Sequence, residues 1–179
     1  MEEVHHETVL DYLRSLQGLG PQDFLAAYKH SYLVENYLAP SSRTNLARVE
    51  TISEMDMEDL ISSGENSEDL FLARVIAVEK RDKNSSERMI FVGRSASNDI
   101  VLLNKMVSKL HAYFSRVPGS QIVQLVDMNS TNGTFINDAK ISPSVKTRLK
   151  DNDVISFGPE TRFEFFNPVS FCQLLQRLV

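Results

Sequence analysis

The stretch from Val92 to Asn137, VGRSASNDIVLLNKMVSKLHAYFSRVPGSQIVQLVDMNSTNGTFIN, decides the fold of this chain. It alternates short apolar runs with three clusters of small polar and cationic residues. The clusters are Gly93-Arg94, Ser108-Lys109-Leu110-His111 and Ser130-Thr131-Asn132-Gly133-Thr134. Each cluster lies at the end of an apolar run. Because short strands joined by polar turns are typical of β-sandwiches and barrels, we predict that the clusters lie on loops.

The alternation of apolar runs and polar turns extends beyond this stretch in both directions. Residues 70–167 as a whole show a period close to two, which is typical of strands, and polar turns separate the runs. This pattern predicts a mainly β domain, an all-β sandwich built from many short strands. The predicted strands are Leu70–Glu79, Arg88–Val92, Asp99–Leu102, His111–Arg116, Ile122–Val126, Thr134–Ile136, Val154–Phe157 and Thr161–Phe166.

Both ends of the chain follow a helical period instead. From Val9 onward apolar residues recur at i, i+4 and i+7, Pro21 suits the first turn of a second helix, and Leu33 continues the period towards Pro40. Residues 1–40 are therefore predicted to form a helical N-terminal segment. Its apolar faces could pack within a small helical subdomain or against a partner.

The last residues of the chain, 168–179, are predicted to form an amphipathic C-terminal helix. Four apolar residues between Phe171 and Leu178 recur at i, i+3, i+4 and i+7. Asn167 supplies a suitable cap, and Pro168 suits the first helical turn.

Residues 41–69 are predicted to be an acidic linker. Between Val49 and Asp69 the chain has eight acidic side chains and no basic one. Residues 1–69 carry a net charge of −10, and residues 70–179 carry +5, within a total of −5. An acidic segment joined to a mildly basic domain predicts two functional parts. A short acidic helix around Met55–Ile61 is predicted within the linker.

Several classes of protein are disfavoured by the same sequence. No apolar run is long enough to cross a membrane, and the N-terminus is acidic where a signal peptide would be basic, so we expect a cytoplasmic protein without a membrane partner. The single cysteine, Cys172, excludes an internal disulfide, and its apolar surroundings predict a buried, unreactive thiol. No catalytic, cofactor or metal-binding motif is present, and no run of basic residues predicts nucleic-acid binding.

The three polar clusters instead suit the capture of a phosphate group. A phosphorylated threonine presents about −1.5 to −2 charges and three strong acceptor oxygens. Arg94 offers a planar fork of donors, Ser108 a hydroxyl and Lys109 a second cation. Asn132-Gly133 favours a tight turn at which Thr131 and Asn132 project short polar groups.

Read together, the clusters resemble the signature of the forkhead-associated (FHA) domain, a family of phosphothreonine-binding modules. The resemblance covers roughly residues 70–167, and its five pieces occur in the order of the family. Those pieces are Gly93-Arg94, Asn98-Asp99-Ile100, Ser108-Lys109-Leu110-His111, Asp127 through Asn137, and Leu149 through Gly158. One departure is Asn152 where the family usually has glycine; because asparagine also tolerates positive φ, we expect that turn to survive.

The resemblance implies a role for individual residues of this chain. The residues implied to bind the phosphopeptide are Arg94, Ser108, Lys109 and Thr131 on the phosphate, with Asn132 on the peptide main chain. The residues implied to support the site without touching the ligand are Gly93, His111 and Gly133. The family further implies a non-enzymatic adaptor of bacterial type in Ser/Thr kinase signalling. Its partner would be a phosphothreonine protein, either a Ser/Thr kinase or a kinase substrate.

Two alternatives remain open at the level of sequence. The FHA fold could serve as a structural scaffold that mediates protein assembly without phosphate. In addition, Thr51 is a candidate phosphorylation site, because Glu50-Thr51-Ile52-Ser53 loosely resembles the N-terminal threonine site that some bacterial FHA regulators fold into their own pocket. Eighteen residues separate Thr51 from Leu70, enough extended chain to reach a loop of a small sandwich. An unmodified solvated linker is the simpler interpretation of this segment.

Overall fold

The computed structural model describes residues 7–35, 70–82, 88–117 and 119–178. They belong to two compact units, of which the first comprises the chain up to Ile76 together with Phe166 onward, and the second is Ala77–Phe165. No helix within the described ranges is long and apolar enough to cross a membrane. The predicted linker 41–69, including Thr51 and the predicted acidic helix, lies outside the described residues.

Among the described residues of the first unit are the helices α1 (Val9–Leu19), α2 (Pro21–Ala27) and α3 (Pro168–Gln176). Helix α1 begins with a capping box, in which Thr8 and Asp11 exchange hydrogen bonds between side chain and backbone. Gly20 separates α1 from α2 at a φ of 77°, a conformation that glycine adopts without strain. The Asn167 side chain accepts hydrogen bonds from the Val169 and Ser170 N–H groups, which confirms the predicted cap of the C-terminal helix.

The prediction that the N-terminal segment is helical as far as residue 40 is wrong for residues 31–35. Ser31–Glu35 forms a strand, β1, which lies beside β2 (Val75–Val78), and the Glu35 N–H donates to the Arg74 carbonyl. Three consecutive apolar residues can be read as either a buried helix or a buried strand. Here all of Tyr32-Leu33-Val34 is buried, and strand pairing satisfies the backbone of a segment rich in aromatic and β-branched residues.

Aromatic side chains hold the first unit together. The Tyr12 ring makes edge contacts with Tyr28, Tyr32 and Phe171, at centroid distances of 5.2–5.5 Å. Its hydroxyl donates a hydrogen bond to Glu7, and burial together with this carboxylate raises the pKa of Tyr12. Cys172, on α3, is buried as predicted. The first unit thus has a core of its own.

The second unit is a sandwich of two β-sheets, as the sequence predicts. One sheet has the strand order β4-β3-β5-β6-β9, and the other contains the neighbouring strands β11-β10-β7-β8. All pairings are antiparallel except that of β3 with β4. The strands are β3 (Met89–Gly93), β4 (Ile100–Val101), β5 (Ala112–Arg116), β6 (Val123–Asp127), β7 (Thr134–Ile136), β8 (Ala139–Lys140), β9 (Thr147–Arg148), β10 (Val154–Phe157) and β11 (Thr161–Phe166).

Alternate residues of these strands fill the space between the sheets. Ile90, Phe114 and Leu125 lie opposite one another across three neighbouring strands, and all three are buried. From the facing sheet, the Phe157 ring contacts Phe114 and Phe163, with centroids 6.3 Å and 6.2 Å apart. Burying these side chains stabilises the fold by roughly 1.5–3 kcal/mol each. The resulting scaffold holds the loops at the strand ends.

Candidate functional site

Three loops carry the polar clusters. The first loop, residues 94–99, connects β3 to β4; the second, residues 102–111, connects β4 to β5; and the third, residues 128–133, connects β6 to β7. Hydrogen bonds between the loops bring them together at one place on the sandwich. These bonds fix the positions of the candidate binding residues.

The first and second loops are joined through backbone groups. The Arg94 N–H donates to the Ser108 carbonyl at 2.9 Å, and the Ser95 N–H donates to the Lys109 carbonyl at 3.1 Å. The buried Asn98 amide donates to that same Lys109 carbonyl at 2.7 Å. A Cβ built on Gly93 would lie 2.4 Å from the Lys109 carbonyl oxygen. Only glycine therefore permits this close approach of the two loops.

His111 joins the second loop to the third. Its ring is fully buried, with Nδ1 accepting the Ser108 N–H at 3.0 Å and Nε2 lying 3.2 Å from the Gly133 carbonyl. Because a backbone N–H can only donate and a carbonyl can only accept, the proton of the neutral ring is on Nε2. Burial lowers the pKa of His111, against the opposing effects of the Gly133 bond and Asp127. The imidazole is therefore a neutral bridge, consistent with a supporting role.

Asp127 fixes the shape of the third loop. Its carboxylate accepts hydrogen bonds from the Ser130 N–H at 3.0 Å, the Ser130 hydroxyl at 2.6 Å and the Thr134 hydroxyl at 2.6 Å. Burial alone would raise the pKa of Asp127, but these bonds and the nearby His111 lower it below its ordinary value. A buried, ionised carboxylate thus closes the turn that presents Thr131 and Asn132.

The residues predicted to bind phosphate retain unused donors around this frame. Arg94 is exposed; its Nε donates to the Val107 carbonyl at 3.2 Å, and its two terminal amino groups have no partner among the described residues. The Ser108 hydroxyl accepts the Thr131 N–H at 3.0 Å and donates a long hydrogen bond of 3.4 Å to the Thr131 hydroxyl, whose own proton has no described partner. Lys109 is exposed, and its ammonium likewise has no described partner. Two cations and two hydroxyls can therefore turn towards one anion.

Asn132 continues the site beyond Thr131. Its side-chain amide donates to the Met106 carbonyl at 2.7 Å, which leaves its second N–H and its carbonyl oxygen for a ligand. Gly133 follows at a φ of 82°, and its carbonyl also accepts the Gly158 N–H at 2.9 Å. The asparagine is thus held in place by the second loop while part of its hydrogen-bonding capacity stays free.

The structure brings together all eight site residues predicted within the described ranges, while Thr51 lies outside them. Sequence reasoning did not assign two further residues, Asn98 and Asp127, although both occur within the quoted motifs. Their signal was a polar residue beside an apolar run, and both prove to be buried hydrogen-bonding centres. Among the described residues, no group of three or more His, Cys, Asp or Glu side chains could hold a metal ion.

Comparisons with known proteins show which family this chain resembles. Residues 90–158 match the FHA domain family. The glycogen accumulation regulator GarA of Mycolicibacterium smegmatis is 33% identical over 89 residues, covering 46% of this chain and 53% of the relative. The oxoglutarate dehydrogenase inhibitor of Corynebacterium diphtheriae is 32% identical over 98 residues, covering 51% of this chain and 61% of the relative.

Among solved structures, the FHA domain of a Chlamydia trachomatis protein matches with 18% identity and a TM-score of 0.48, covering 77% of this chain and 97% of that one. The matched stretch spans between 6% and 61% of the length of the curated relatives compared, so the likeness concerns one domain of those proteins.

Proposed function

From the premise that this chain carries an FHA domain at residues 90–158, we propose that it binds phosphothreonine in peptides. The observation that supports this most directly is the pair of exposed cations, Arg94 and Lys109, whose terminal nitrogens have no described partner. Arg94 would form a bidentate contact with the phosphate, because both terminal amino groups of its guanidinium are free of described partners. Lys109 would neutralise the remaining charge.

The other residues of the site take distinct parts in this proposal. Ser108 and Thr131 would turn their hydroxyl groups to phosphate oxygens, and Asn132 would hydrogen-bond the peptide main chain beside the phosphothreonine. Gly93, His111 and Gly133 would hold the loops in position. Since a phosphate presents three strong acceptor oxygens, two cations and two hydroxyls would offer a donor to each of them.

The corresponding biological role is that of a non-enzymatic, cytoplasmic adaptor. Its partner would be a phosphothreonine-containing protein, either a Ser/Thr kinase or one of its substrates, without nucleic acid, membrane or cofactor. The exposed cations of the site are few, which suits one phosphate group better than the repeating phosphates of a nucleic acid. The predicted divisions of the chain, an acidic linker at 41–69 and an FHA domain at 70–167, form part of this proposal.

The test is a calorimetric titration of the whole chain with a peptide library centred on phosphothreonine. The matched controls are the same library unphosphorylated and the same library with phosphoserine. We expect binding of the phosphothreonine library alone. Equal binding of all three, or of none, would instead favour the alternative, a scaffold that mediates assembly without phosphate. Strong binding to nucleic acid with a steep salt dependence would also contradict the proposal that the site binds phosphothreonine peptides.

A further inference from the structure

A cation lies beside the proposed peptide-binding loop. Lys140 is on β8, where it pairs with Phe135 across the hairpin of β7 and β8. A Cβ built on Gly133 would lie 2.5 Å from Cε of Lys140 and 3.1 Å from its Nζ. The Lys140 side chain therefore folds back along the hairpin and lies across the main chain of Gly133, directly after Asn132.

The Lys140 ammonium is not neutralised by the residues that the structure describes. Lys140 is exposed and takes part in none of their hydrogen bonds or ion pairs. Two acidic residues on neighbouring segments are already engaged. Asp138 pairs with Arg162 at 2.9 Å, and the buried Asp127 carboxylate accepts hydrogen bonds from Ser130 and Thr134. An exposed, uncompensated ammonium beside a binding surface attracts a carboxylate of the ligand.

We propose that Lys140 is a specificity residue, which favours phosphothreonine peptides that carry an aspartate or glutamate near the phosphorylated position. This inference rests on the proposed function. If the phosphate lies at Arg94 and the peptide main chain lies at Asn132, the next part of the peptide passes Gly133. Because an extended chain advances only about 3.3–3.6 Å per residue, the acidic side chain that meets the ammonium would be close in sequence to the phosphothreonine.

A purely structural role for Lys140 predicts different behaviour. The aliphatic part of the side chain packs over Gly133, whose positive φ and missing side chain leave that space open. Lys140→Met keeps this packing and removes the charge, whereas Lys140→Arg keeps a charge. A structural role would make the two variants equivalent in peptide selection, because both retain the aliphatic stem. A role in specificity separates them.

The experiment measures the affinity of phosphothreonine-centred peptide libraries in which one flanking position at a time is fixed as Asp or as Ala. The proteins are the wild type, Lys140→Met, Lys140→Arg and, as a matched control, Lys146→Met, which removes another exposed lysine outside the three loops. We expect one position within three residues of the phosphothreonine at which Asp improves binding roughly two- to fivefold, as for an exposed ion pair. Lys140→Met abolishes this preference, Lys140→Arg and Lys146→Met retain it, and added salt weakens it.

Each other outcome counts against the proposal. If no position shows an Asp preference, or if Lys140→Met and Lys146→Met reduce it equally, Lys140 does not select the peptide. Binding of the Ala libraries without any role of Lys140 leaves the proposed function intact and overturns this inference alone. Failure of the wild type to bind any phosphothreonine library overturns both.

Discussion

The candidate site contains two sets of residues that differ in how fully their polar groups are used. The frame residues, Gly93, Asn98, His111 and Asp127, are buried, and the polar side chains among them have hydrogen-bond partners within the protein. The contact residues, Arg94, Ser108, Lys109 and Thr131, are exposed or half-buried. Arg94, Lys109 and Thr131 keep side-chain donors without a described partner, and the Ser108 hydroxyl donates only a long bond of 3.4 Å to Thr131. The difference shows that position in a motif does not define a role, since Ser108 and His111 lie only three residues apart.

The largest expected effect on ligand binding belongs to the contact residue Arg94. Arg94→Ala removes charge-assisted hydrogen bonds worth about 1.5–3 kcal/mol each, so affinity for a phosphothreonine peptide should fall at least tenfold. Because the side chain is exposed, the free energy of unfolding should change little. Calorimetric titration and denaturant unfolding measure the two quantities. Arg148→Ala, which removes an exposed arginine on β9, serves as the control and should leave affinity nearly unchanged.

The frame residue His111 should behave differently. His111→Ala leaves the Ser108 N–H without its ring acceptor, at a cost of about 1–3 kcal/mol, and removes one of the two donors to the Gly133 carbonyl, which keeps the Gly158 N–H. We therefore expect a lower melting temperature together with weaker peptide binding. Thermal unfolding followed by titration of the folded variant measures both effects. Lost binding at unchanged stability would make His111 a direct ligand and break the distinction between frame and contact residues.

Acidification should weaken the frame by a smaller amount, without any mutation. The pKa of His111 is lowered in the folded state, so the unfolded chain binds a proton first as the pH falls through about 6.5, and stability decreases from there downward. The pKa of Asp127 is also lowered in the folded state. Its carboxylate therefore stabilises the fold at pH values above the ordinary pKa of aspartate, and this stabilisation is lost as the pH falls further.

Unfolding free energies measured at a series of pH values test this expectation. His111→Gln should lose the pH dependence that begins near 6.5. The control His30→Gln changes a histidine outside the second unit and should retain it. An unchanged slope in His111→Gln would mean that His111 is not the group responsible.

The smallest effect on ligand binding is expected from phosphorylation of Thr51. A phosphothreonine tethered to the domain has an effective concentration near millimolar, so even an intramolecular contact of about millimolar affinity would weaken binding of a free peptide roughly twofold. We predict that phosphorylation of Thr51 lowers the affinity for a phosphothreonine peptide by at least this factor. Titration of the phosphorylated chain, with NMR of the Arg94 guanidinium, measures it. If the phosphorylated and unmodified chains bind the peptide with equal affinity and the Arg94 signal does not shift, the site binds only ligands from other molecules.

The sandwich was predictable because apolar and polar residues alternate clearly along its strands. The predicted strands Thr134–Ile136, Val154–Phe157 and Thr161–Phe166 agree residue by residue with the structure. Strands β8 and β9 were not predicted, because they have only two residues each and lack the apolar run that marks the equally short β4. The strand Ser31–Glu35 was mistaken for a helix, since its buried run has no alternation and strand pairing decided its conformation.

The candidate site was predictable in its composition but not in its arrangement. A glycine before an arginine indicates a tight approach, yet the sequence does not show that the Lys109 carbonyl is the group approached. The neutral tautomer of His111 likewise follows from its two buried partners and not from its neighbours in sequence. Lys140 lies seven residues beyond Gly133, and only the return of the β7–β8 hairpin brings the two together.

The hydrogen bonds that join the second loop to its neighbours have a consequence for the thermodynamics of recognition. The Lys109 carbonyl holds the first loop, and the His111 ring and Met106 carbonyl hold the third, through hydrogen bonds made entirely within the protein. The backbone entropy needed to order these loops is therefore lost during folding and not during association. Ligands then differ in affinity through their own side chains and their own flexibility, while the receptor presents each of them with the same rigid surface.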